Sequence, residues 1–284
     1  MSAEYILTLS CPDRVGIVAA VSVFLSNHDC NIKDSAQYGD SETGLFFMRV
    51  HFRAEAGAPD YTGLKTAFSE LADAFSMRWG VHKSDAPCRM IIMVSQHGHC
   101  LNDLLFRYRT GTLPVEIPCI ISNHREFQHE AEWHGIPYHY LPVTKYNRED
   151  QEEAVLSIIR KENADLVVLA RYMQILSERM CRELEGKCIN IHHSFLPSFK
   201  GANPYKRAHE RGVKLIGATA HYVTAQLDEG PIIEQDVERV DHAHTAEDFV
   251  ALGRDVESVV LARAVRNHVE HRVLLNGRKT VLLR

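Results

Sequence analysis

The 284-residue chain has no excess of positive charge, no paired-cysteine motif, no long apolar run and no low-complexity tract, and each absence removes a class of function. With 32 Lys and Arg against 37 Asp and Glu the formal charge is −5, the wrong sign for tracking a phosphate backbone, so nucleic acid is not an expected partner. The seven cysteines, Cys11, Cys30, Cys88, Cys100, Cys119, Cys181 and Cys188, are odd in number and show no C-x-x-C spacing. That argues against a disulfide framework or a zinc module and for a reducing compartment. No stretch approaches the roughly 18 uncharged apolar residues of a membrane span, and Met-Ser-Ala-Glu-Tyr is not a basic region ahead of an apolar run. The expectation is a cytoplasmic protein without a membrane partner. A hydrophobic content of 45% with 24% charged residues is that of folded domains able to build their own cores.

What is present divides in two. Tyr5 to Ser10 is rich in strand formers, Cys11-Pro12-Asp13-Arg14 is a turn, and Val18 to Leu25 has helical apolar spacing, with Asp13 or Arg14 starting the helix. Asn31 to Tyr38 and Leu45 to Phe52 alternate as strands around a turn at Gly39-Asp40-Ser41; Tyr61 to Phe75 is amphipathic and Met77 to Val81 completes the series. The order βαββαβ over residues 1–83 is that of a split-βαβ, ferredoxin-like unit. Residues 84–88 are polar and proline-bearing and read as a linker. From residue 89 to 284 short apolar runs (Met90 to Val94, Val115 to Ile121, Leu166 to Leu169, Ile189 to Ile191) alternate with helical stretches. This predicts a doubly wound, mostly parallel α/β domain with ligands at the carboxyl ends of its strands. A long helix over Ala246 to Asn267 and a hairpin at Asn276-Gly277 end the chain.

Ile189-Asn190-Ile191-His192-His193-Ser194-Phe195-Leu196-Pro197 runs an apolar strand into polar residues. Two apart on a strand, Asn190 and His192 face the same side. An amide donor beside an imidazole at a strand's carboxyl end suits acyl chemistry, because both can hold an oxyanion and the imidazole can also move a proton. The pair taken alone is more often a loop-satisfying asparagine and a core histidine, because buried polar groups usually serve structure. Leu215 to Val223 is a further apolar strand containing His221, and the turn Leu227-Asp228-Glu229-Gly230-Pro231 carries a carboxylate that can orient or deprotonate a neighbour, or serve only the turn.

These segments together resemble the folate-dependent formyltransferase family: Ile189 to Gly201, then Gly217-Ala218-Thr219-Ala220-His221-Tyr222-Val223, then Leu227 to Ile233. The resemblance implies that Asn190, His192 and Asp228 are the catalytic set and that His221 lines the site. It further implies that Met173, Gln174, Ile175 and Leu176, within Leu169-Ala170-Arg171-Tyr172-Met173-Gln174-Ile175-Leu176-Ser177, bind the pterin through backbone groups along with Val223 and Thr224. Gln174 stands where an arginine is common. The glycine-serine phosphate loop of the glycinamide ribonucleotide transformylases is replaced by Ser95-Gln96-His97-Gly98-His99-Cys100-Leu101, and their His-Pro by His192-His193. With an amino-terminal part that fits an ACT domain through Cys11-Pro12-Asp13-Arg14-Val15-Gly16-Ile17-Val18, the chain resembles the formyltetrahydrofolate deformylases.

Membership would imply hydrolysis of 10-formyltetrahydrofolate to tetrahydrofolate and formate, in one-carbon metabolism and formate supply to purine biosynthesis, with the folate as substrate and no cofactor. His99, Cys100, His193 and Gly201 would form a loop at the active site. Asp13, Arg14 and Gly16 would frame a site for a small amino-acid effector, in a homo-oligomer, dimer or tetramer, whose ACT-like domains pair. The alternatives are a formyltransferase using an amine acceptor and a non-catalytic amino-acid sensor. No metal is expected, because His97/His99 and His242/His244 fall on loop sequence without a third spaced ligand.

Overall fold

The computed structural model describes residues 3–196 and 204–284. By spatial grouping the chain forms two compact units: residues up to Ala86 with Glu270–Asn276 and Val281–Arg284, and Pro87–Val269 with Gly277–Thr280.

In the first unit the elements run β1 (Glu4–Pro12), α1 (Ile17–Asn27), β2 (Cys30–Asp40), β3 (Leu45–Ala54), α2 (Tyr61–Ala74) and β4 (Arg78–Lys83). They form an antiparallel sheet of order β2-β3-β1-β4. Period-two alternation in β1 sends Tyr5, Leu7 and Leu9 onto Leu64 and Phe68 of α2 and Val21 of α1. Two local readings shift. The expected turn at Gly39-Asp40-Ser41 moves to residues 41–44, because Asp40 accepts from Glu42 N (3.0 Å) and the Thr43 hydroxyl (2.8 Å) and so folds the chain after itself. Neither Asp13 nor Arg14 starts α1: Gly16 precedes it at φ 97° with no side-chain cap, and the Arg14 guanidinium lies 4.1 Å over the Phe75 ring.

The second unit continues β5 (Cys88–Val94), α3 (His99–Arg109), β6 (Val115–Glu116), β7 (Ile120–Ser122), α4 (Gln128–Trp133), β8 (Tyr138–Tyr140), α5 (Arg148–Lys161), β9 (Leu166–Leu169), α6 (Glu178–Glu183), β10 (Cys188–His192), α7 (Pro204–Glu210), β11 (Leu215–Tyr222), β12 (Ile232–Arg239) and α8 (Ala246–Val269). The sheet order is β12-β11-β10-β9-β5-β7-β8, parallel from β10 to β8 and antiparallel at β10-β11-β12. Its central strands, β5 and β9, are buried along almost their whole length, as strands covered on both faces must be. The single strand expected over Val115 to Ile121 is instead two short pieces; Pro118 between them has no N–H to give a ladder.

The hairpin β13 (Val273–Asn276) and β14 (Lys279–Leu282) ends the chain. Sequence reading assigns everything after residue 89 to one domain, yet most of this hairpin groups with the first unit. Val281 and Leu283 bury Phe47 of β3, Arg49 donates to Glu270 O at 3.1 Å, and Asn276 Nδ2 donates to Asp40 at 2.7 Å. The hairpin therefore covers the sheet face opposite α1 and α2, which an isolated four-stranded unit would leave wet.

Candidate active site

The polar end of β10 meets the end of β11 and the turn that follows it. Antiparallel register sets Asn190 opposite His221 and His192 opposite Thr219. His221 is 3% exposed; its Nδ1 faces Tyr222 O at 2.9 Å, a carbonyl that only accepts, so Nδ1 carries the proton and Nε2 is left to accept from Asn190 Nδ2 at 3.3 Å. Burial lowers the His221 pKa, outweighing the Tyr222 carbonyl and Asp228, which act the other way. A neutral imidazole thus fixes which way the Asn190 amide points.

Asp228 comes in from the turn between β11 and β12. Its Oδ1 lies 3.3 Å from His192 Nδ1 and 3.8 Å from His221 Nε2. Burial pushes its carboxyl up, but the hydrogen bond and charge of His192, with His221 and His193, prevail and hold it below the ordinary carboxylate value. The backbone at Asp228 is left-handed, φ 58°, a region that aspartate tolerates better than most residues. The turn returns so tightly that a Cβ on Gly230 would stand 1.7 Å from Tyr222 O. His192 is 7% exposed, with Nδ1 toward Asp228; among the described residues its buried Nε2 has no hydrogen-bond partner. Thr219 holds the chain beyond β10, donating to Ser194 O (3.0 Å) and accepting from Leu196 N (3.1 Å).

The segment from Ala170 to Ser177 follows β9, the strand next to β10. Ser95 clamps it: Ser95 N donates to Arg171 O (3.2 Å), and Ser95 Oγ accepts from Met173 N (2.9 Å) while donating to Asn123 (2.7 Å). Held this way, Met173 and Ile175 are exposed apolar side chains. Gln174, Ile175 and Leu176 line a pocket with Val143, Arg148 and Tyr172, and the Arg148 guanidinium donates to Ile175 O. Val223 N donates to Cys188 O at 2.9 Å, which ties it to the start of β10, and the Thr224 hydroxyl donates to Gln226 O at 3.0 Å within the connection that carries Asp228.

The expected loop of His99, Cys100, His193 and Gly201 does not hold together as a loop. His99 and Cys100 are the first residues of α3, and Cys100 is fully buried, its thiol pKa pushed up by burial first and by Glu257. His193 follows β10 with its ring parallel to that of His192, centroids 5.0 Å apart; Gly201 lies outside the described residues. The histidine spacing that seemed to lack a third partner acquires one from far along the chain: His99 Nε2 is 2.8 Å from Glu257 of α8. Asp13, Arg14 and Gly16 belong to the other unit. Sequence reasoning gave no role to Ser95, Arg171, Tyr205 or Glu257; Glu257 alone left a signal, a carboxylate at helical spacing from Gly253, Val260, Leu261 and Ala264 on the buried face of α8.

A formyl transferase family model matches residues 88–265, and an ACT domain model matches residues 5–60. The formyltetrahydrofolate deformylase of Corynebacterium sp. (strain P-1) is 49% identical over 99% of this chain and 98% of its own length. That of Synechocystis sp. is 50% identical over 97% of each. The chain belongs to the formyltetrahydrofolate deformylase family. The crystal structure of the Pseudomonas syringae pv. tomato deformylase superposes with a TM-score of 0.97 at 48% identity, covering 100% of this chain and 95% of that one. Glycinamide ribonucleotide transformylase 1 from Symbiobacterium toebii matches more narrowly, with a TM-score of 0.67 at 30% identity over 72% of this chain and 97% of its own. The formyltransferase unit is therefore common to both kinds of enzyme, and full-length similarity is to the deformylases. Among the described residues no helix is long and apolar enough to cross a membrane.

Proposed function

We propose that this chain hydrolyses 10-formyltetrahydrofolate to tetrahydrofolate and formate, with Asn190, His192 and Asp228 as the catalytic residues. The observation that carries the reading is the convergence of the three on one point, with His192 backed by Asp228 at 3.3 Å and its Nε2 left for a substrate atom. A water attacks the formyl carbon and its proton passes to Asp228, directly or through His192. The oxyanion of the tetrahedral intermediate is held by the Asn190 amide and the His192 Nε2–H. Collapse breaks the bond to N10, which takes a proton, and formate leaves. The depressed pKa of Asp228 keeps it ionised at neutral pH, so it also balances positive charge on His192. Met173 to Leu176, with Val223 and Thr224, hold the pterin beside this point. The folate is consumed as substrate, and the scheme calls on no resident cofactor or metal.

Formate release from 10-formyltetrahydrofolate with no acceptor present is the test. Release that requires an added amine would make the chain a transferase, and no release with tight amino-acid binding would make it a sensor.

The same proposal extends to the first unit. Asp13, Arg14 and Gly16 sit where β1 turns toward α1, Val15 and Val18 are exposed there, and that corner is offered as a small amino-acid site in a dimer or tetramer. Calorimetric titration with the twenty amino acids, alongside sedimentation, tests both points.

A further inference from the structure

Glu257 is 1% exposed in α8; it accepts from Tyr205 OH at 2.7 Å, lies 2.8 Å from His99 Nε2, and is ion-paired with Arg171, whose Nε is 3.4 Å away without a hydrogen bond to it. Burial pushes this carboxyl up, but His99, Arg171 and Tyr205 together hold it below its ordinary value, so it is ionised. Placing an anion there is costly, because each member of a buried ion pair must be stripped of water. The helix makes a second concession beside it. A Cβ on Gly253 would fall 2.2 Å from Tyr205 Cζ, so α8 carries a glycine, which weakens a helix interior, where the tyrosine ring crosses it. Packing α8 on β11 needs none of these polar groups.

The far side of Arg171 shows what the cluster serves. Arg171 has a left-handed backbone, φ 63°, and while its Nε faces Glu257 its Nη1 donates to His193 Nδ1. A guanidinium has only donors, so His193 Nδ1 must accept, and a neutral His193 carries its proton on Nε2. The His193 ring then lies parallel to His192, 5.0 Å away and tilted by 17°. His99, Cys100 and Glu257 also place donor atoms within 4.8 Å of one another. Both Glu257 oxygens already accept hydrogen bonds, however, and the adjacent guanidinium repels a cation.

We propose that Glu257 is a positioning residue for the reaction: through Arg171 it fixes the tautomer and plane of His193, against which His192 is held in line with Asp228. The carboxylate also offsets the guanidinium charge that would otherwise oppose positive charge developing on His192. The proposal rests on the reading of His192 as a catalytic residue.

The test is a double-mutant cycle on the full chain with Glu257→Gln, Arg171→Met and the two combined, following kcat and KM for formate release, thermal stability, and the His193 tautomer by ¹⁵N NMR. Glu257→Gln is expected to lower kcat on the order of 10- to 100-fold, the scale of a small misplacement of a reacting group, with KM unchanged. It should also remove the Nε2–H signature of His193. The combined variant no longer buries an unpaired charge, so it should regain stability; its kcat should stay at the Arg171→Met value. If Glu257→Gln alone does not fold, comparing the combined variant with Arg171→Met still isolates the carboxylate. Recovery of kcat together with stability, or additive losses in kcat, would overturn the proposal, as would a His193 tautomer indifferent to Glu257. The tautomer is read without turnover, so a failure of the hydrolytic reading itself would show separately, as a parent chain that releases no formate.

Discussion

Asp228 Oδ1 stands 3.3 Å from His192 Nδ1, and the aspartate reaches that place only by adopting a left-handed backbone at φ 58°. The turn spends conformational freedom to put a carboxylate against an imidazole, which a turn needing only a polar residue would not do. Strand β10 supplies the imidazole and the β11–β12 connection the carboxylate, so the site forms only when the antiparallel pair is in register. Asparagine shares aspartate's tolerance of this backbone region. Asp228→Asn should therefore keep the fold and folate binding yet lose about 10²- to 10⁴-fold in turnover, the usual cost of removing an acid or base. Single-turnover formate release checks it, and a variant at the parental rate would remove Asp228 from the mechanism.

Asn190→Ala is expected to lower kcat by about 10² to 10³ while leaving KM little changed, because an oxyanion donor acts on the transition state. His221 supplies a control for the geometry. Its Nε2 orients the Asn190 amide at 3.3 Å, so His221→Ala should lower kcat in the same direction and add little in an Asn190→Ala background. A loss confined to KM would instead make Asn190 a folate-binding residue.

Much of this was legible in the sequence because the signals are local. Two residues apart on a strand decides that Asn190 and His192 share a face, and the βαββαβ order follows from short-range periodicity. What was not legible is non-local. Glu257 meets His99 across 158 positions, and Asn276 meets Asp40 across 236, and no window of sequence spans either pair. Boundaries failed where a side chain overrode the pattern: Asp40 bends its own following turn, and Pro118 interrupts an otherwise continuous apolar run. The terminal hairpin was foreseen from Asn276-Gly277, but not that its apolar residues would bury Phe47.

Gly230→Ala tests how far the site depends on the turn. Its new methyl would stand 1.7 Å from Tyr222 O, a backbone atom that cannot rotate away. The turn must open, moving Asp228 from His192; the cost should reach at least the roughly 1–3 kcal/mol of an overpacked core site. Thermal unfolding and kcat should fall together, whereas Asp228→Asn should lower kcat alone. A Gly230→Ala variant with parental activity would mean that the carboxylate reaches His192 without this turn.

The last prediction concerns acid stability. Burial, as the largest cause, depresses the pKa of His221 below 6.5 in the folded chain, and that of His82 in the first unit likewise. A base whose folded pKa is depressed binds more protons when unfolded, so its contribution is fully present above the unfolded value and is lost as pH falls through the folded one. The Asp228 carboxyl, held below 3.8, follows the same rule at a lower window: its contribution is present above about pH 3.8 and goes as pH falls through its own depressed value. The melting temperature should therefore be flat from about pH 6.5 to about pH 8, below the range in which the buried thiols, whose pKa burial raises, cost stability, then decline below about pH 6.5 as the buried imidazoles are forced to charge, and decline again in the carboxylate range. Replacing His221 with glutamine, which keeps a polar side chain but cannot titrate, should flatten the upper decline while leaving the lower one. If the parent and His221→Gln chains lose stability in parallel from pH 7 to 5, His221 is not held neutral in the fold, and its tautomer no longer accounts for the orientation of Asn190.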